Sequence, residues 1–283
     1  MGGGRDKSGT AIYRRRNGVY ERLDGQPINH RVKTQPEEKS FRDKINETSN
    51  YAEFIDVMRE RYGRDPNIVR YSFARQNNLQ MLKRVMNTID DLEEKYPFMK
   101  GYIKGFRNID DFKSKAMAGM DDEGNLYLNP NYWSENNNQY LYSMEKDVRG
   151  VHPPNMSPES IIAHEFGHAV HGYLMEKMAD WANNAPVSEM LKAADVWAGL
   201  IDGTALEYVE RKALNSLGLT HSLSMGRFKI SKYAYGAKSS GGNPSYEAFA
   251  EAFADVYANG EKAGDVSKAY VQALLDEIKV YGG

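Results

Sequence analysis

The stretch His164-Glu165-Phe166-Gly167-His168 lies within a run of mostly apolar residues. Residues four apart share one face of an α-helix, so His164 and His168 can both reach one metal ion. Neutral imidazole nitrogens suit zinc, and a catalytic zinc site has three protein ligands and a water. Glu165 follows the first histidine and can act on that water. The stretch therefore predicts a buried helix with two metal ligands and an acid beside them.

Two histidines on an apolar helix can also be ordinary buried residues with satisfied hydrogen bonds. The metal interpretation is favoured because H-E-x-x-H on a helix is typical of zinc-dependent peptidases. Glycine within a helix costs about 1 kcal/mol relative to alanine, so Gly167 predicts a place where another backbone comes close. Ser157 and Pro158 form the expected start of this helix.

A second motif occupies residues 243–259. Asn243 is suited to cap a helix and Pro244 to its first position, while Asn259 and Gly260 are typical of a helix end. Between them, acidic residues recur every four positions without interleaved basic residues, which favours a cation against this face. The acidic residues are Glu247, Glu251 and Asp255.

Together, H-E-F-G-H-A-V-H and E-A-F-A-E-A-F resemble the zinc metallopeptidases related to the anthrax lethal factor and the Pro-Pro endopeptidases. Similar zincin domains occur in phage-encoded and toxin-like proteins. The resemblance implies an α+β, zincin-like fold that is mostly helical, with a small mixed sheet whose edge strand borders the active-site cleft. It also implies Glu247 as the third zinc ligand and Glu251 as the carboxylate that supports a ligand histidine. In a second register, Glu251 binds the metal and Asp255 lies behind it.

The resemblance further implies a tyrosine that stabilises the oxyanion, for which Tyr233 and Tyr235 are the candidates. His171 shares the face of the two ligand histidines and is expected to line the cleft or to hydrogen-bond a ligand. By resemblance in position, the strand 125–129 is the candidate edge that pairs with an extended substrate, through Asn125, Leu126 and Tyr127. The alternative is that this hairpin only supports the core. The remaining histidines are isolated, and we expect structural or surface roles for them: His30, His152 and His221.

Composition places few limits on function. The chain has 283 residues, no cysteine and a net charge of -2, which indicates no general attraction to nucleic acid or to an anionic membrane. No transmembrane run and no signal peptide are evident, which favours a cytoplasmic or virion-associated protein. Residues 1–45 are expected to form a polar arm that is partly disordered or binds a partner in a large assembly. Residues 46–283 are expected to form the metallopeptidase domain, with a helical lead-in at 46–96 and a catalytic core at 97–283.

Local patterns predict helices at 52–62, 78–96, 187–217, 244–258 and 265–280, and strands at 102–106, 116–120 and 125–129. Trp197, Leu200, Ile201 and Leu206 are the expected core residues of the third of these helices. The predicted function is a Zn²⁺-dependent endopeptidase that acts on a protein or peptide substrate. Two alternatives are a phage particle or assembly protein with incidental or lost catalysis, and a toxin effector domain.

Overall fold

The computed structural model describes residues 13–16, 19–22, 39–63, 79–108, 116–121, 123–133, 150–219, 222–237 and 243–282. The chain divides into two units, Met1–Lys39 and Ser40–Gly283. In the first unit, strands β1 (Tyr13–Arg16) and β2 (Val19–Arg22) form an antiparallel pair. Two of the isolated histidines, His30 and His221, lie outside the described residues.

The second unit begins with a helix that the sequence analysis assigned to the polar arm. Helix α1 (Phe41–Glu47) is capped by Ser40, whose hydroxyl accepts a hydrogen bond from the Asp43 amide at 3.1 Å. Ile45 is fully buried. The predicted boundary at residue 46 was therefore too late, because an apolar residue near the end of a polar stretch belongs to the core.

Two further helices lead into the sheet, close to their predicted bounds. They are α2 (Tyr51–Tyr62) and α3 (Leu79–Lys95), and a 3-10 turn, Pro97–Met99, follows α3. Helix α3 packs its apolar face against the long helix that contains His164 and His168. The residues that α3 buries recur at helical spacing, as the sequence pattern predicts.

The second unit has a small mixed sheet. It contains β3 (Gly105–Asn108), β4 (Ala118–Met120) and β5 (Asn125–Leu128), in the order β3-β5-β4. Strand β5 is parallel to β3 and antiparallel to β4, and all of its residues are buried. The assignment of 125–129 as the substrate-binding edge was therefore wrong, because β5 has a neighbouring strand on both sides. A single turn of helix, α4 (Pro130–Trp133), follows the sheet.

Helices α5 (Pro158–Asn184) and α10 (Pro244–Asn259) form the centre of the second unit. Ser157 and Ser160 form a capping box at the start of α5, and the Asn243 side chain accepts from the Ser245 amide at 2.9 Å. The two helices are in close contact at Gly167, where an added Cβ would lie 2.8 Å from the Cα of Ala250. The predicted close approach of a backbone to Gly167 is confirmed.

Residues 187–217 are not one helix. A 3-10 turn, Val187–Glu189, leads into α6 (Met190–Asp202), and Gly203, at φ +79°, separates it from α7 (Ala205–Ser216). Leu206 is buried, and Trp197 and Leu200 are partly buried, but Ile201 is 81% exposed. The prediction for Ile201 was wrong because the face of α6 toward the core contains Ala193, Val196, Trp197 and Leu200 at helical spacing, and Ile201 lies off that face.

The remaining helices are α8 (Leu223–Ile230), α9 (Lys232–Gly236) and α11 (Asp265–Gly282). Within the described residues, the second unit is a mostly helical α+β structure with a small mixed sheet, in agreement with the predicted fold class. No helix in the described part of the chain is both long and apolar enough to span a membrane.

Candidate metal centre

Three side chains from α5 and α10 converge on one point. The Oε2 atom of Glu247 lies 3.3 Å from His164 Nε2 and 3.7 Å from His168 Nε2. One ligand atom from each residue lies within 4.8 Å of the others, so the group can hold a metal ion. Glu247 Oε2 is buried and makes no hydrogen bond with a described residue, so it is available as a ligand. This is the set predicted from the two motifs.

The start of α10, which carries Glu247, is fixed by a buried ion pair. Arg227 of α8 donates to both carboxylate oxygens of Glu210 at 2.9 and 2.6 Å, and to the hydroxyl of Ser245 at 3.0 Å. Glu210 is fully buried, so its charge depends on this bidentate contact. Because Ser245 is two residues before Glu247, the network holds the first turn of α10 in place.

Glu251 lies behind His164 rather than on the metal side. Its Oε1 is 3.0 Å from His164 Nδ1, whereas Nε2 of the same ring faces Glu247. This geometry agrees with the register in which Glu247 is the ligand and Glu251 the supporting carboxylate. A carboxylate on Nδ1 fixes the tautomer and the ring orientation of a ligand histidine.

Asp255 points toward the end of α10, which does not agree with the alternative register in which it lies behind a metal-binding Glu251. Its two carboxylate oxygens accept hydrogen bonds from the Gly264 amide at 3.0 Å and from the Asn259 side chain at 2.8 Å. Asp255 is one turn beyond Glu251, where α10 no longer lies beside the histidine pair. Its hydrogen bonds stabilise the turn that leads to α11.

His171 supports the second ligand histidine, as expected. Its Nε2 lies 3.0 Å from His168 Nδ1, and its ring packs against Tyr246 with centroids 4.6 Å apart. The two ligand histidines therefore have different partners on Nδ1, a carboxylate for His164 and an imidazole for His168.

His152 belongs to the site, although the sequence analysis gave it a structural or surface role. Its Nδ1 lies 3.2 and 3.3 Å from the two carboxylate oxygens of Glu251. The two residues are 99 positions apart. No spacing pattern connects them, so only the packed structure identifies the contact.

Of the two candidate tyrosines, only Tyr233 lies at the centre. Its ring centroid is 6.2 Å from that of His164, and its side chain lines the cleft. Tyr235 is 54% exposed, packs against Phe228 and is not among the residues that line the cleft. The tyrosines differ because α9 is a single short helix, on which residues two apart point in different directions.

The metal-binding group lies in an open cleft of about 700 Å³. Strand β4 forms part of the wall, and a smaller cavity of about 250 Å³ adjoins the cleft at His164, Glu165 and Tyr233. Of the three residues predicted to bind substrate, only Tyr127 lines the cleft, and its hydroxyl donates to Asp121 at 2.7 Å. Asn125 and Leu126 are not part of the wall.

The pKa values of the group reflect burial and mutual charge. Burial opposes protonation of His164, but its contacts with Glu247 and Glu251 outweigh that effect and raise its pKa well above the usual value. Burial and the neighbouring charge of His164 lower the pKa of His168 to about 4. Glu247 and Glu251 therefore surround His164 with negative charge, which a cation bound at the same place would compensate.

Burial also raises the pKa of the Glu165 carboxyl to about 7. A carboxyl with this pKa exchanges protons near neutral pH, as a general base requires. The pKa of Tyr233 is raised by burial and then by the charge of Glu247, so its hydroxyl remains protonated and can donate a hydrogen bond.

No family model matches this chain, and the searches of curated proteins and of solved structures found no match either.

Proposed function

We propose that this protein is a zinc-dependent endopeptidase of the zincin type. The proposal rests on one observation: His164, His168 and Glu247 present ligand atoms within 4.8 Å of one another in an open cleft that Glu165 also lines. Two imidazoles and one carboxylate suit zinc and leave a position for water, as in other catalytic sites of this composition.

Different residues of the cleft can perform different parts of peptide-bond hydrolysis. When bound, zinc supplies positive charge that acidifies water and polarises a carbonyl group. Glu165 takes a proton from the attacking water and passes it to the leaving amine. The Tyr233 hydroxyl donates a hydrogen bond to the oxygen of the attacked carbonyl, where negative charge develops.

Hydrogen bonds on the far side of each ligand ring prepare the histidines for this role. Glu251 and His171 contact the Nδ1 atoms of His164 and His168, respectively. With Nδ1 protonated and donating, each Nε2 presents its lone pair toward Glu247 and the metal.

An extended protein or peptide chain is the substrate class that the cleft favours. Strand β4 lies at the end of the described sheet and lines the cleft, whereas β5 is covered on both sides. We therefore transfer the proposed backbone pairing with substrate from β5 to β4, with Gly119 at its centre. The proposed partner of the N-terminal arm and the assembly and toxin alternatives remain predictions, since the geometry of the cleft does not address them.

The test combines metal analysis with digestion of a peptide library. We expect the purified protein to bind one zinc per chain and to cleave peptides. We expect Glu165→Gln to keep the zinc and lose cleavage. A Glu165→Gln variant with full activity would exclude Glu165 as the base, and a wild-type protein that binds no zinc would refute the metal site.

The two tyrosines provide a matched pair for the same assay. Loss of one oxyanion donor lowers kcat by about 10²–10³-fold, which is the expected effect of Tyr233→Phe. Tyr235→Phe removes a hydroxyl from an exposed side chain outside the cleft and should leave kcat unchanged. Equal effects of the two substitutions would contradict the assignment of Tyr233.

A further inference from the structure

The buried carboxylate of Glu251 lies between two imidazoles. His164 Nδ1 is 3.0 Å from Oε1, and His152 Nδ1 is 3.2 Å from the same oxygen and 3.3 Å from Oε2. Glu251 is fully buried, whereas the side chain of His152 is 20% exposed. A buried charge needs hydrogen-bond partners. The rings of His164 and His152 are the partners of the Glu251 carboxylate on two sides.

When His164 binds a metal through Nε2, its Nδ1 keeps a proton and donates it to Glu251. The Glu251 carboxylate can accept this hydrogen bond only while it keeps its orientation. His152 contacts both oxygens of Glu251 from a segment outside α5 and α10, so it fixes the carboxylate plane.

The segment that carries His152 is also joined to the candidate oxyanion donor. The Tyr233 amide donates to the Val151 carbonyl at 2.8 Å. The rings of His152 and Tyr233 pack with centroids 5.1 Å apart and an interplanar angle of 35°. His152 therefore contacts two elements of the site, the carboxylate behind His164 and the tyrosine at the cleft.

The geometry points to His152 as a positioning residue of the metal centre. Its Nδ1–H holds Glu251, and through it His164, in the orientation that binds metal, while its ring holds Tyr233 beside the cleft. This inference rests on the proposed metal site and adds a residue from outside the two motifs. In this arrangement His152 acts on the metal position through Glu251 and His164, and on the cleft through Tyr233.

Substitutions at His152 can separate the two contacts. In His152→Asn, the amide Nδ2 is attached to Cγ, as Nδ1 is, so the donor to Glu251 is retained but the ring is lost. In His152→Phe, the ring is retained but the donor is lost. His152→Ala removes both.

The primary measurement is zinc affinity of the full chain, by competition with a chromophoric chelator. Loss of a hydrogen-bond partner behind a ligand typically costs about 10–100-fold in metal affinity, and we expect this loss in the Phe and Ala variants. The Asn variant should bind zinc like the wild type. The visible absorption of Co²⁺ bound in place of zinc should change in the Phe and Ala variants and not in the Asn variant.

Activity at saturating zinc tests the ring contact. We expect a lower kcat for His152→Asn, with little change in KM, because Tyr233 loses its packing partner. At saturating zinc, His152→Phe should have a higher kcat than His152→Ala, because it keeps the ring beside Tyr233. Equal zinc affinity in the wild type and all three variants would overturn the inference, and so would an Asn variant as weak as the Ala variant.

Asn259→Ala serves as the control for general disruption of the segment. Asn259 accepts from the Asn155 side chain at 2.7 Å and donates to the Pro154 carbonyl at 2.9 Å, so it tethers the segment at residues other than His152. Its replacement should leave zinc affinity unchanged. Asn259→Ala could also weaken zinc binding as much as His152→Phe does. General disruption of the segment would then explain the loss of zinc affinity, and the inference would fail.

The outcomes distinguish this inference from the proposed function. A wild-type protein that binds no zinc, or binds it equally well after His164→Ala, would refute the metal site itself. A wild-type protein that binds zinc through His164, with His152 variants that bind it equally well, would refute only the role of His152. Should His152→Ala fail to fold, the comparison of Asn with Phe gives the same answer.

Discussion

A single methyl group added at Gly167 would test the contact between α5 and α10. The Cβ of an alanine there would lie 2.8 Å from Ala250 Cα and 3.1 Å from Phe253 Cβ. Carbon atoms in contact are normally about 3.5–4.0 Å apart, so the helices must separate by roughly 1 Å. The nearest atom belongs to the backbone of a buried helix and cannot rotate away. The added methyl group must therefore displace α10.

The size of the effect follows from two opposing contributions. Overpacking in a core costs about 1–3 kcal/mol, and the upper end applies here because a backbone must move. Replacing glycine by alanine within a helix recovers about 1 kcal/mol. We expect a net loss of about 2 kcal/mol for Gly167→Ala, which lowers Tm by roughly 4–8 °C in a domain of this size.

The same displacement should weaken metal binding. Ala250 is three residues after Glu247, so a shift of α10 carries the ligand carboxylate away from the histidine pair. Zinc affinity, measured by chelator competition, should fall together with Tm.

Gly172→Ala is the matched control, because among the described residues a single side-chain atom, the Tyr102 hydroxyl at 3.3 Å, lies within 4 Å of its added Cβ. This variant should be as stable as the wild type or up to about 1 kcal/mol more stable. The reasoning is refuted if Gly167→Ala melts at or above the wild-type temperature.

Three further predictions concern the site and the surface. Glu251→Gln should weaken zinc binding by about 10–100-fold in chelator competition, whereas Asp255→Ala should leave it unchanged and lower Tm, since its contacts are with the turn before α11. In the metal-free protein the pKa of Glu165 rises from 4.5 to about 7, so the folded state binds the proton more tightly than the unfolded chain. The contribution of Glu165 to stability is complete below about pH 4.5 and is lost as the pH rises through 7. The Tm of the wild type should therefore fall more steeply with rising pH than the Tm of Glu165→Gln, and parallel curves would contradict this expectation. Ile201→Gln should change the free energy of unfolding in urea by less than about 0.5 kcal/mol, and Leu206→Ala should lower it by about 2–5 kcal/mol; similar losses for both would place Ile201 in the core.

Several features were predictable because they depend on residues close in sequence. His164 and His168 share a face because they are four apart on one helix, and the ends of α5 and α10 follow from Ser157, Asn243 and Gly260. The spacing of Glu247, Glu251 and Asp255 places them on one face of α10, and the resemblance in motifs favours Glu247 as the third ligand, with Glu251 as the alternative. These are properties of single helices and do not depend on how the helices pack.

Other features were decided only by the packing of distant segments. The contact of His152 with Glu251 joins residues 99 positions apart. The choice of Glu247 over Glu251 depends on how α10 lies against α5, which is set where Gly167 meets Ala250. Strand β5 looks the same in sequence whether it has one neighbour or two. Whether Leu200 or Ile201 faces the core depends on which face of α6 packs against it. Sequence patterns report the period of an element and its apolar face, whereas the partner of that face is fixed by long-range packing.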